Sequence, residues 1–92
     1  MAEKRKKFLV RGRVQGVGFR FFAVRTARAE GVSGSVRNLG NGDVEVVAQA
    51  EDSVLNTLET QLRQGPPAAE VSDVESTEVP LDKSVSGFRI DY

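Results

Sequence analysis

The sequence predicts an α+β sandwich, with two helices on one face of an antiparallel sheet. Three observations carry that prediction. Short alternating runs of valine and phenylalanine recur along the chain, in the period of two that marks half-buried strands. Two longer stretches carry apolar stripes at helical spacing. Gly and Pro clusters separate one kind of stretch from the other.

The first strand runs over KFLVRGRV, Lys7–Val14. Phe8, Val10 and Val14 share one parity and Arg11 and Arg13 the other. The loop Gln15–Gly18 follows. Arg20–Glu30 then has no breaker, and Phe22, Ala23, Thr26 and Ala27 form its stripe, with Gly31 as the stop. Gly34–Asn38 is a short strand, Asn41-Gly42 predicts a type I′ hairpin turn, and Asp43–Ala50 alternates Val44, Val46, Ala48 and Ala50 against mostly polar neighbours. Ser53–Gln64 is the second helix, with Asp52 as N-cap and Val54, Leu55, Leu58 and Leu62 as its apolar face. Gly65-Pro66-Pro67 ends it. A strand over Glu70–Val79 changes parity between Val71 and Val74, which predicts a bulge or a late start. Phe88, Ile90 and Tyr92 alternate in a short closing strand. The order is βαββαβ plus that extra C-terminal strand, the ferredoxin-like arrangement. The chain of 92 residues is expected to form one domain, residues 1–92, with residues 1–6 as a flexible basic tail. Phe19 and Phe22 are expected in the core.

Composition narrows the chemistry. There is no cysteine and no histidine. The usual zinc sites and the Ser-His-Asp or Cys-His nucleophiles therefore cannot be built. Catalysis is left to Arg, Lys, amides, carboxylates, hydroxyls and backbone. No run approaches the length of a membrane span and no signal-peptide pattern opens the chain, so a cytoplasmic protein without membrane partners is expected. The net charge is zero but unevenly spread. Residues 1–37 hold ten Lys/Arg against two acids, and residues 38–92 hold three against eleven. Either a positive surface attracts an anion, or the two halves neutralise each other in the fold. Arg37 and the N-terminal basic cluster read as solvated surface. The chain lacks the base-reading elements of a nucleic-acid module, so no nucleic-acid partner is expected.

The stretch Gln15-Gly16-Val17-Gly18-Phe19-Arg20 is the informative one. It joins the first strand to the start of the first helix, where free N–H groups and the positive dipole end favour anions. Glycines let successive N–H groups converge. Arg20 adds a charged fork suited to phosphate oxygens. The stretch lacks the third glycine of a dinucleotide fingerprint and the Gly-Lys-Ser/Thr of a Walker A loop. On these grounds it reads as a phosphate cradle or as an ordinary strand–helix turn.

Gly12 and Val14-Gln15-Gly16-Val17-Gly18-Phe19-Arg20 resemble the first signature of the acylphosphatases. Gly34-Ser35-Val36-Arg37-Asn38, with Gly42 and Val44, resembles the second. Gly65-Pro66-Pro67 and Gly87-Phe88-Arg89-Ile90 extend the resemblance over residues 7–92. Ser35 departs from the family's usual aromatic, Ala50 from its usual glycine, and Glu30 from an expected apolar residue. The resemblance implies hydrolysis of small acyl phosphates to carboxylate and inorganic phosphate, by a monomer with no metal or cofactor. It implies that Arg20 and the N–H groups of Gln15, Gly16, Val17, Gly18, Phe19 and Arg20 bind the phosphate, and that Asn38 orients the attacking water. Gln15 is expected chiefly to support the loop. A non-catalytic phosphate-binding module is the alternative.

Overall fold

The computed structural model describes residues 2–92. Its elements are β1 (Glu3–Arg13), α1 (Phe19–Ala29), β2 (Ser33–Asn38), β3 (Val44–Glu51), α2 (Asp52–Gln64), β4 (Glu70–Val79) and β5 (Phe88–Ile90). The sheet order is β4-β1-β3-β2-β5. The first four strands pair antiparallel. β5 lies parallel to β2, so the whole sheet is mixed. Both helices pack on one face, α1 over β2 and β5, and α2 over β1, β3 and β4.

The core follows from the two periodicities. Phe8, Val10, Val36, Val44, Val46 and Ala48 are fully buried on the helix-covered face, and Phe19, Ala23, Ala27, Leu55, Leu58 and Leu62 meet them from the helices. Each Leu buried in this way contributes about 1.5–3 kcal/mol. The parity change in β4 is a bulge: Arg11 pairs with Asp73 and Gly12 with Val71, leaving Ser72 extra.

Several local expectations are corrected. Residues 3–6 are not a tail. They form the start of β1 and pair with β3 from Glu3 to Lys6. Backbone pairing holds them there, and the ammonium groups of Lys4 and Lys6 lie 3.6 and 3.4 Å from the Asp52 carboxylate. Met1 lies outside the described residues. The N-cap of α2 is Glu51, not Asp52, and no side chain caps it. Asp52 instead occupies the first turn, where a carboxylate suits the helix dipole. The hairpin turn is not type I′, which needs two left-handed residues. Only Gly42 is left-handed there, at φ 99°. The Gly42 N–H donates to the Leu39 carbonyl and the Leu39 N–H to the Asp43 carbonyl. That is a type I turn closed by a glycine bulge. Tyr92 lies beyond β5 and is 97% exposed.

Topology places the site. β1 and β2 each pair antiparallel with the β3 between them, so they run parallel to each other. Their C-terminal ends lie at one end of the sheet. The loop after β1 and Asn38 at the end of β2 are therefore neighbours.

Candidate active site

At that end, Val14, Gly16, Gly18, Phe19, Arg20, Phe21 and Asn38 line a pocket of about 110 Å³. One water needs only ~10–15 Å³, so the pocket has room for a small polyatomic anion.

The loop supplies its floor. Gly16 and Gly18 are left-handed at φ 73° and 80°, whereas the intervening Val17 is not. Positive-φ glycines on either side of a residue of negative φ allow successive N–H groups to turn to one side of the chain, as in the concave nests that hold anions. Among the described residues, none of the N–H groups from Gly16 to Phe21 donates to another backbone group; the first such bond is Phe22 N–H to Gly18 carbonyl, at 3.0 Å. Helix α1 also has no side-chain cap and no acidic residue in its first turn. The donors at this helix start are thus left for a ligand or solvent.

Arg20 stands in the first turn of α1 and has no carboxylate partner among the described residues. Other cations of the positive first half do have partners. Arg11 reaches Asp43, Asp73 and Glu75, and Arg37 reaches Glu45. The charge asymmetry is therefore in part neutralised in the fold, with Arg20 as an exception at the pocket. The Arg20 guanidinium carbon lies 5.5 Å from the centre of the Tyr92 ring, a cation–π approach.

Asn38 enters from the other side. It shares parity with the buried Gly34 and Val36, so its side chain lies on the helix-covered face. Arg37, of opposite parity, points away to Glu45. The Oδ1 of Asn38 is buried and accepts no hydrogen bond from the protein. A buried acceptor left bare costs about 1–3 kcal/mol. Asn38 nevertheless lines the pocket beside the loop and Arg20, with its carboxamide unengaged at Oδ1.

Gln15 and Val17 do not line the pocket. The Gln15 Nε2 donates to the carbonyls of Leu39 and Asp43, both at 2.8 Å. It thereby ties the loop after β1 to the hairpin after Asn38. The Asn41 Oδ1 accepts from the Asp43 N–H at 3.0 Å and braces the hairpin tip. Sequence reasoning missed two neighbours of the site. Tyr92 was expected in a strand and instead lies over Arg20. Phe21 was unassigned, although its position off the core stripe of α1 marks it as an apolar residue without a core to join.

Comparison with known proteins shows the family. The acylphosphatase family model matches residues 6–90. An acylphosphatase of Chlorobaculum tepidum is 44% identical over 90 residues, covering 98% of each chain. The crystal structure of acylphosphatase from Bacillus subtilis superposes with a TM-score of 0.93 at 32% identity, covering 99% of this chain and 100% of that one. An acylphosphatase structure from Coxiella burnetii gives 0.91 at 38% identity, covering 97% and 93%. The family model over residues 6–90, with relatives and solved structures matched over nearly the whole chain, makes this chain a member of the acylphosphatase family, hydrolases of acyl phosphates.

Proposed function

We propose that the phosphate of a small acyl phosphate sits in the pocket against the free N–H groups of residues 16–20 and the Arg20 guanidinium, while Asn38 orients the attacking water. The observation that carries this is that Asn38 and Arg20, which has no carboxylate partner among the described residues, line one pocket with Gly16 and Gly18 of the loop.

The roles follow from the chemistry of the bond. Water attacks phosphorus, the bond from phosphorus to the carboxyl oxygen breaks, and a carboxylate leaves. Its acid has a pKa near ~4, so departure needs no proton from the protein. Negative charge on the phosphoryl oxygens is held by donors already fixed in place, which is where most of the rate comes from. A neutral carboxamide accepts from the water without repelling the phosphate, as a carboxylate would. The water's proton passes to a phosphate oxygen. The phosphate oxygen takes that proton, so the reading needs no protein base.

Gln15, expected at the phosphate, acts in this reading through the hairpin it holds. The chain acts as a monomer in the cytoplasm on a free small molecule, without nucleic-acid or membrane partners. Among the described residues no helix is long and apolar enough to cross a membrane.

Titration with inorganic phosphate, the product, tests the cradle. The amide resonances of Gly16, Val17, Gly18, Phe19 and Arg20 shift together and saturably, and the Arg20→Ala variant weakens the response. Shifts confined to other parts of the chain would overturn the assignment.

A further inference from the structure

Three large apolar side chains are exposed among the described residues: Phe21, Leu81 and Tyr92, at 70%, 51% and 97%. Phe21 alone of them lines the phosphate pocket. It follows Arg20 directly and sits off the stripe of Phe19, Ala23 and Ala27 that faces the core. Neither packing nor helix propensity asks for a phenylalanine there, since aromatic residues are poorer helix formers than Ala or Lys. Phe19 and Phe22 pair with each other, ring centres 5.7 Å apart, leaving Phe21 outside that contact.

An acyl phosphate has two unlike ends. The pocket is small, and its polar groups are the loop, Arg20 and Asn38. Once these take the phosphate, the acyl group must lie at the mouth. The mouth offers the exposed Phe21, and the Tyr92 ring lies on the neighbouring Arg20. Arg20 is the only cation among the lining residues, so a second carboxylate on the acyl group finds no partner there.

We infer that Phe21 forms the acyl subsite and that the chain favours mixed anhydrides of aromatic or other bulky apolar acids over those of short or charged acids. This deepens the proposed function and rests on the phosphate end binding as described. Covering an apolar surface of this kind in the productive complex raises kcat/KM only for an acyl group large enough to reach it.

The test compares kcat/KM for benzoyl phosphate and acetyl phosphate in wild type, Phe21→Ala, Phe21→Leu and Leu81→Ala. Intrinsic reactivity cancels when the benzoyl-to-acetyl ratio of each variant is divided by that of wild type. The expected result is a fall in that ratio of about tenfold for Phe21→Ala. Phe21→Leu, which keeps an apolar surface, falls less, and Leu81→Ala leaves the ratio unchanged. Phe21 is exposed, so both variants fold. A ratio unchanged in Phe21→Ala overturns the acyl subsite while leaving the phosphate cradle standing. A folded wild type that hydrolyses neither compound overturns the cradle as well.

Discussion

The side-chain amide of Gln15 donates to the Asp43 carbonyl at 2.8 Å, joining the loop after β1 to the far end of the hairpin that follows Asn38. With its second bond to Leu39, also at 2.8 Å, it fixes the hairpin from both sides. Two such bonds contribute roughly 1–3 kcal/mol to stability. Their greater effect is on geometry, because a shift of about 1 Å in a water-orienting group costs on the order of 10²-fold in rate. Gln15→Ala is expected to lower kcat for benzoyl phosphate at least ~10-fold, while KM moves less than ~3-fold. Gln15→Glu keeps the shape but loses both donors, and should fail as badly. A fully active Gln15→Glu variant would show that the clamp is not needed.

Gly18 tests the loop's conformation separately from its contacts. A Cβ added there meets no atom within 4 Å, yet φ is +80°. Gly18→Ala therefore introduces strain without a clash, at a cost of about 1–2 kcal/mol. The loop relaxes by rotating its N–H groups out of the nest. Calorimetric titration should show affinity for inorganic phosphate falling about tenfold. Unchanged affinity would mean the nest does not hold the anion.

The lining residues include no group that titrates near neutrality. The kcat profile is expected to be level within ~3-fold between about pH 6 and 8, where a histidine base would give a limb. The fold should hold across the same range. Hydrogen bonds from Ser84 hold the Asp82 carboxyl below its ordinary value, and a hydrogen bond from Arg89 does the same for Asp91. A folded-state value that is lowered stabilises above the unfolded value, ~3.9, and that contribution is lost only as pH falls below it. A steep limb in kcat near neutral pH would point to a protein base that this account leaves out.

Much of this was legible in the sequence because period and spacing are local signals. Val10, Val36 and Val44, and the leucines of α2, are buried as their periodicity requires. Arg20 and Asn38 were legible through their motifs, and topology then brought them to one pocket. The hairpin turn was not legible, since Asn41-Gly42 suits more than one turn and the bulge at Gly42 won. Residues 3–6 were misread because a run of basic residues resembles a tail, whereas strand pairing with β3 and the partner Asp52 fix it in place. The approach of Tyr92 to Arg20 spans most of the chain, and no local pattern encodes such a contact.

The most direct test of the central claim is kcat and KM for benzoyl phosphate in excess chelator, for wild type, Arg20→Ala and Asn38→Ala. Wild type is expected to be active. Arg20→Ala should weaken apparent substrate affinity on the order of 10²-fold, as loss of a charged bidentate donor does. Asn38→Ala should lower kcat by ~10²–10³-fold with KM nearly unchanged. A wild type silenced by the chelator, or folded variants that both keep kcat/KM within ~3-fold of wild type, would contradict the account.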